Sequence, residues 1–329
     1  MRTVLVTGGF GFVGSHLVNS LIEAGNRVVV VDNSTAKGGI LFKNPLAINY
    51  EDSLLHDDLY RKISKYSFDT IYHLAAQTSG EDSQRNSFND IQNNAYATLQ
   101  IARFAKNNKI NHLVYMSTSA IYGSGCKTFV DEESAISPDS VYGVSKYAGE
   151  LFIKQVLKDT DTKYTIFRLT NSFGPGENLN YNKKGMVSIF SGMIWKNEPI
   201  VVKGSLDRIR NFLYVKDVVK ALLMSNKPEA SNEIFLLSSG VEVTVGELIN
   251  CIVEAFGVDL DYPVNVLSTR TSGDTDVFHA KIDKIKNVLG WEPDYTLQDG
   301  LKEYVEWISK IPSGEKQLEK YHPARKNDT

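Results

Sequence analysis

The chain has 329 residues, more than one small hydrophobic core usually organises. Its composition, 42% hydrophobic and 23% charged, excludes disordered and collagen-like classes. With 36 basic and 39 acidic residues the formal charge is −3, which argues against a surface that coats nucleic acid or membrane but leaves room for a local basic pocket. Cys126 and Cys251 are the only cysteines, without CxxC or metal-type spacing, so free thiols, no metal centre and a reducing cytoplasm are expected. Gly8-Gly9 stops the first apolar run too early for a signal-peptide core, and no stretch approaches the roughly 20 apolar residues that span a bilayer.

Val4-Leu5-Val6 reads as a strand, Val13 to Ala24 as a helix capped by Gly25-Asn26, and Val28 to Val31 as a buried parallel strand. That is a βαβ unit. Thr70 to Leu74 then reads as a strand, Asn94 to Asn107 as a helix and His112 to Ser117 as a strand. Tyr142 to Leu157 reads as a helix and Tyr164 to Arg168 as a strand. Such alternation predicts an α/β fold with a doubly wound parallel sheet of the Rossmann type. After Asn171 the rhythm loosens into a long loop over 174–184, a helix from Val187 to Trp195, a strand from Pro199 to Val202, and helices over Thr244 to Phe256 and Asp299 to Ile308. The expected division is a dinucleotide-binding domain over 1–173 and 210–240, a smaller C-terminal substrate-binding domain over 174–209 and 241–311, and a polar tail over 312–329.

Gly8, Gly11 and Gly14 lie between the first strand and helix, where a pyrophosphate meets a helix N-terminus. Asp32 ends the second strand, and its carboxylate is placed to accept hydrogen bonds from ribose hydroxyls. It would repel a 2′-phosphate, and Asn33 and Ser34 supply no cation, so NAD is favoured over NADP despite Lys37. Asp57-Asp58-Leu59 is placed after an expected third strand and reads equally as an adenine contact or a solvated acidic turn.

Tyr142 and Lys146 stand at i and i+4 on a predicted helix and so share one face. A free tyrosine has a pKa of about 10, and a neighbouring ammonium favours its phenolate. Thr118 closes a Ser117-Thr118-Ser119 cluster at the end of a predicted strand, on the carboxyl edge where such sheets bind ligands.

With these residues the chain resembles the extended short-chain dehydrogenase/reductases, the NAD-dependent epimerase/dehydratase group acting on nucleotide sugars. The resemblance runs from about Arg2 to Ser309 and includes Thr7 to Gly14, His73 to Ala76, Asn94 to Thr98, Ser117 to Gly123, Tyr142 to Lys146, Arg168 to Asn171, Gly174 to Gly176, Arg210 to Asp217 and Leu289 to Pro293. It implies that Phe12, Val13, Leu74, Ala75, Ala76 and Asn94 join Asp58, Leu59 and the glycines around the cofactor. Tyr142 becomes the base, Lys146 the ribose-binding cation that eases its ionisation, and Thr118 the partner of the sugar hydroxyl. Asn171 and Arg210 would hold the diphosphate, because a guanidinium fork matches phosphate oxygens. Arg270 reads evenly as a nucleotide contact or a solvated loop arginine, and Phe278 as a wall near the sugar's C2 substituent or a packing aromatic.

Dehydratases of the group carry Asp-Glu after the catalytic Ser/Thr, where this chain has Ser119 and Ala120, so oxidation at C4 without dehydration is favoured. A 4-epimerase is the leading expectation, a 4-dehydrogenase with tightly held NADH the alternative, and a non-catalytic dinucleotide sensor the third. Two departures from the family pattern, Asn211 for the usual Asp and Lys281 for an acidic residue, read as neutral drift or an altered pocket. The resemblance further implies a homodimer through the helices of Asn94 to Asn107 and Tyr142 to Leu157. Ile101, Phe104, Ala148, Leu151 and Phe152 either make that contact or face the sheet.

Overall fold

The structure is a computed structural model that describes residues 1–35, 39, 42–125, 129–180, 185–269 and 277–311. β1 (Thr3–Thr7), α1 (Phe12–Glu23) and β2 (Arg27–Asp32) form the expected βαβ unit. β3 (Ile48–Glu51), α2 (Asp57–Ile63) and β4 (Thr70–His73) follow. Two short helices, α3 (Gly80–Arg85) and α4 (Ser87–Asp90), lead through a π-helical turn (Ile91–Tyr96) into α5 (Ala97–Asn107). β5 (His112–Thr118) ends in a 3-10 turn (Ser119–Tyr122), followed by β6 (Phe129–Val130), α6 (Val141–Leu157), β7 (Lys163–Leu169) and β8 (Asn171–Phe173). The remaining elements are α7 (Met186–Trp195), β9 (Ile200–Lys203), β10 (Ile209–Arg210), β11 (Phe212–Tyr214), α8 (Val215–Met224), β12 (Glu233–Leu237) and β13 (Val243–Thr244). α9 (Val245–Phe256), β14 (Val264–Leu267), β15 (His279–Ala280), α10 (Asp283–Leu289) and α11 (Leu297–Ser309) complete the described chain.

Seven strands make the central sheet in the order β12-β7-β5-β4-β1-β2-β3, and every pairing within it is parallel. The order runs outward in opposite directions from β1 and β4, so a crevice opens between their carboxyl ends. Period-two geometry explains the apolar runs. Val4, Val6, Val28 and Val30 enter the core beneath α1 and α8, whereas Leu5, Val29 and Val31 enter the core beneath α2, α5 and α6. A third core joins α7, α9 and α11 through Phe190, Ile194, Ile249, Ile252, Leu301 and Tyr304. Asp217 fastens the segment between α10 and α11 to α8: its carboxylate accepts from the backbone N–H groups of Asp294 (2.8 Å) and Tyr295 (3.2 Å), while Trp291 Nε1 donates to its carbonyl.

Two local expectations differ from the structure. The helix expected from Asn94 onward starts inside the π-helical turn, where Asn94 is buried and the Thr98 hydroxyl donates to its carbonyl at 2.5 Å. The third strand ends at Glu51, well before Asp57, and Asp57-Asp58-Leu59 opens α2 instead. Acidic residues suit that position, since they complement the positive end of a helix.

Candidate active site

A cleft of 890 Å³ runs along the carboxyl edge of the sheet, near the top of the roughly 300–1,000 Å³ range of small-molecule sites. Its cofactor-side floor is the turn from β1 into α1, with Gly8, Gly11, Phe12, Val13 and Gly14 on the wall. Glycine is required at two of these positions. A Cβ at Gly14 would stand 2.0 Å from the Gly8 carbonyl oxygen, and one at Gly8, where φ is +72°, would stand 2.6 Å from Ala75 N. No side chain caps the N-terminus of α1, which leaves its positive end to the cleft.

Asp32 closes β2 with its carboxylate at the cleft, buried, accepting from Phe10 N at 3.0 Å and Ser34 N at 2.8 Å. Burial holds its pKa above the usual carboxylate value, partly offset by those two backbone donors. Asn33 and, from the end of β4, Leu74, Ala75 and Ala76 also line the wall. Asp58 and Leu59 do not. Asp58 pairs with Arg61 on the exposed face of α2, and Leu59 is fully buried beneath the sheet; Asp52 and Leu54, just after β3, reach the cleft in their place. Lys37 and Cys126 lie outside the described residues.

Thr118, Tyr142 and Lys146 converge on the middle of the cleft. Thr118 is the last residue of β5, and its Oγ1 accepts from Ala120 N at 3.2 Å, which orients the hydroxyl at the end of the strand. Ser140 caps α6 by accepting from Gly143 N at 3.1 Å, so the first helical turn carries Tyr142 and the next carries Lys146. Burial pushes the Tyr142 phenol up to about 12; the Thr118 hydrogen bond opposes that and the charge of Asp90 adds to it. Lys146 is buried, its Nζ standing 4.3 Å from the centre of the Tyr115 ring. Beneath it His73 stacks on Tyr115 and bridges Thr7 Oγ1 (2.7 Å) and Thr98 Oγ1 (2.9 Å). Burial, reinforced by the Lys146 charge, holds His73 down at about 3, so it is neutral.

Asn94 stands behind the wall rather than on it. Its side chain binds the Gln77 backbone through N (2.8 Å) and O (3.0 Å) and donates to Ser145 Oγ (3.0 Å). At the other end of the cleft, Asn171 donates to the Asn211 carbonyl (3.2 Å), and Arg210 is buried with Nη1 donating to the Ile209 carbonyl (2.7 Å). Phe278 lines the cleft while packing on Tyr122, with ring centroids 6.3 Å apart. Arg270 lies in the segment 270–276, outside the described residues. The two departures stay off the wall: Asn211 Nδ2 donates to the Val241 carbonyl (2.8 Å), a bond an aspartate cannot make, and Lys281 lies over Phe129 at the surface.

The opposite wall was not read from the sequence. Gln77, Ser79, Asp82, Arg85, Asn89 and Asn93 line it. The available signal was a polar run directly after β4, a strand whose carboxyl end borders the crevice.

A family model described as the NAD dependent epimerase/dehydratase family matches residues 4–237. The chain belongs to that family. Its cofactor is NAD, and the glycine cradle and the Asp32 carboxylate fit such a dinucleotide. The chain is 33% identical over 308 residues to a putative UDP-glucose 4-epimerase of Methanocaldococcus jannaschii, covering 93% of this chain and 98% of that protein. It is 29% identical over 321 residues to dTDP-glucose 4,6-dehydratase of Streptomyces niveus, covering 92% of both. Among solved structures, the UDP-glucose 4-epimerase of Thermotoga maritima with UDP-glucose superimposes with a TM-score of 0.88 at 32% identity, covering 94% of this chain and 99% of that one. Among the described residues no helix is long and apolar enough to cross a membrane.

Proposed function

We propose that the protein is a nucleoside-diphosphate-sugar 4-epimerase. The observation that carries this reading is the convergence of Tyr142, Lys146 and Thr118 in the cleft beside Ser119 and Ala120, a wall with no carboxyl group directly after the threonine. The epimerase relatives support it, and the dehydratase relative marks the competing outcome.

Gly8, Gly11, Gly14 and Asp32 would hold NAD, which when bound supplies the hydride acceptor and donor at C4 of the sugar. Tyr142 removes the C4 hydroxyl proton as general base, and the same group returns it after the 4-keto sugar has turned over in the cleft. In the absence of cofactor its pKa of about 12 is too high for that task. The positive nicotinamide of bound NAD would lower it, because a neighbouring positive charge favours the phenolate. Thr118 holds the hydroxyl in line, and Arg210 with Asn171 anchors the diphosphate so that the sugar alone can rotate. Neither Ser119 nor Ala120 can relay a proton as a carboxyl group does, so water is not eliminated across C5 and C6.

We assign substrate selection to the segments 174–209 and 241–311, and a homodimer to the outer faces of α4, the π-helical turn and α6. Those faces expose Phe88, Ile91, Tyr96, Val144 and Leu151, whereas Ile101 and Phe104 are buried against the sheet. Sedimentation that shows a monomer removes the dimer assignment. Incubation with UDP-, GDP-, dTDP- and CDP-sugars, followed by NMR of the products, tests the reaction. C4 epimers formed without added cofactor are expected. A 4-keto sugar accumulating with NADH would make it a dehydrogenase, and a 4-keto-6-deoxy sugar would return the dehydratase reading with Asp82 of the cleft wall as the first carboxyl to examine.

A further inference from the structure

Asp90, the last residue of α4, is fully buried, and its hydrogen-bond partners are neutral. Oδ1 accepts from Gln77 Nε2 at 2.6 Å; Oδ2 accepts from Ser83 Oγ at 2.7 Å, with Ser145 Oγ and Asn94 Nδ2 at 3.4 and 3.5 Å. An ionised carboxylate taken out of water without a cation is costly, so its position calls for a cause. Two arms leave it. In one, Gln77 Nε2 also donates to Ser79 O at 2.9 Å and Gln77 Oε1 accepts from Ser79 N, closing a tight loop. Ser79 Oγ then caps α3 by accepting from Asp82 N (3.2 Å), and α3 carries Asp82 and Arg85 to the cleft. The other arm runs through Gln77: Asn94 binds the Gln77 backbone and donates to Ser145 Oγ (3.0 Å), and Ser145 Oγ donates its one proton to the Tyr142 carbonyl (2.9 Å), within the turn of α6 that joins Tyr142 to Lys146.

We propose that Asp90 is a positioning residue for the reaction: through Gln77, Asn94 and Ser145 its carboxylate holds the Gln77-to-Arg85 wall to the turn of α6 that carries Tyr142, and it places an acidic group next to that turn. The inference rests on Tyr142 being the base. The charged and titratable side chains on the elements packed around Asp90 are Glu81, Asp82 and Arg85 of α3, Tyr96 of the π-helical turn, and Tyr142, Lys146, Tyr147, Glu150 and Lys154 of α6. Glu81 pairs with Arg85 at 2.8 Å and Glu150 with Arg168 at 2.9 Å. Asp139, in the segment before α6, also lines the cleft and accepts from Ser124 N. Burial is the main cause that disfavours the Tyr142 phenolate, and the charge of Asp90 adds to it. The positive charge that bound NAD would supply works against both.

Asp90→Asn keeps the shape and removes the charge. In the NAD-loaded protein, the phenolate absorbance lost on Tyr142→Phe is titrated against pH in the parent and in the Asp90→Asn background. The Tyr142 titration is expected to move to lower pH in the variant, and the acid limb of the kcat profile to move with it. The KM for the nucleotide sugar is expected to rise about tenfold, as for a lost hydrogen bond to a charged group, with NAD still bound. A folded, NAD-binding variant with an unmoved titration and an unchanged KM overturns the proposal. Should Asp90→Asn fail to fold, Gln77→Met cuts the first arm and keeps the charge. A raised KM with an unmoved titration then supports the proposal, and an unchanged KM overturns it. The phenolate titration needs no turnover. An inactive parent enzyme therefore removes the proposed reaction, while the titration still decides the role of Asp90.

Discussion

The two ends of the cleft are built differently. At the cofactor end the wall is backbone: one strand-to-helix turn of glycines, the end of β2 with Asp32, and Leu74-Ala75-Ala76 at the end of β4. At the end we assign to the substrate the wall is side chains delivered by short, separate pieces, including the two-residue strand β10, the three-residue strand β8 and the segment that carries Phe278. Asn171 is held there by Asn211 from 40 residues away, and Phe278 by Tyr122. A backbone wall offers few ways to change without losing the cofactor. A side-chain wall can vary residue by residue on a fixed frame, which fits a family whose relatives are named as epimerases and as dehydratases.

Substitutions at the two ends should therefore fail differently. Tyr142→Phe, at the junction, carries the largest expected effect: kcat falls by about 10²–10⁴-fold, the usual worth of a general base, with NAD still bound. Near-normal turnover would remove Tyr142 from the mechanism. Gly14→Ala breaks the cofactor end, since its Cβ would meet the Gly8 carbonyl at 2.0 Å. Expected is a protein purified without dinucleotide and destabilised by about 1–3 kcal/mol in denaturant titrations. Arg210→Lys acts at the sugar end alone and should raise the nucleotide-sugar KM about tenfold, because a point charge replaces a planar fork. Unchanged NAD affinity in that variant is part of the prediction. Asn211→Asp, which restores the usual family residue, loses the bond to Val241 and buries a carboxylate; it should cost about 1–3 kcal/mol of stability and leave KM alone. A changed KM would show that Asn211 shapes the pocket after all.

A pH series sharpens the same contrast. His73 and His112 are held by burial at about 3 and about 4, against an ordinary 6.5. Below pH 6.5 the unfolded chain binds protons that the folded chain refuses, so thermal stability should fall steadily from there toward pH 4. Asp32 works in the same direction on the cofactor. Its pKa is raised, so its ionised form, the one proposed to accept from the ribose, is lost at a higher pH than for an ordinary carboxylate, and NAD affinity should begin to weaken early on acidification.

The same division governs what was readable. Strands β1, β2, β4, β5 and β7, helix α6 and the glycine turn follow from short-range rules of periodicity, capping and turn chemistry. The Tyr142–Lys146 pair is also local, one helical turn apart, and Thr118 sits at the end of a strand that can be recognised. Asp58 and Leu59 were misplaced because β3 is short and half-exposed, without the apolar run that marks its neighbours. The polar wall from Gln77 to Asn93 stayed hidden because it depends on buried pairings such as Gln77 with Asp90 and Asn94 with Ser145. Those partners are brought together by the packing of α3 and α4 on α6, which no local pattern encodes.

The account turns on hydride leaving C4 of the sugar and returning to C4. A nucleotide sugar deuterated at C4 tests this directly, with the label located by NMR after turnover in ordinary water. The account predicts that the C4 epimer retains deuterium at C4 and that none appears in solvent. Deuterium at C6 of a 4-keto-6-deoxy product, or its loss to water, would contradict it.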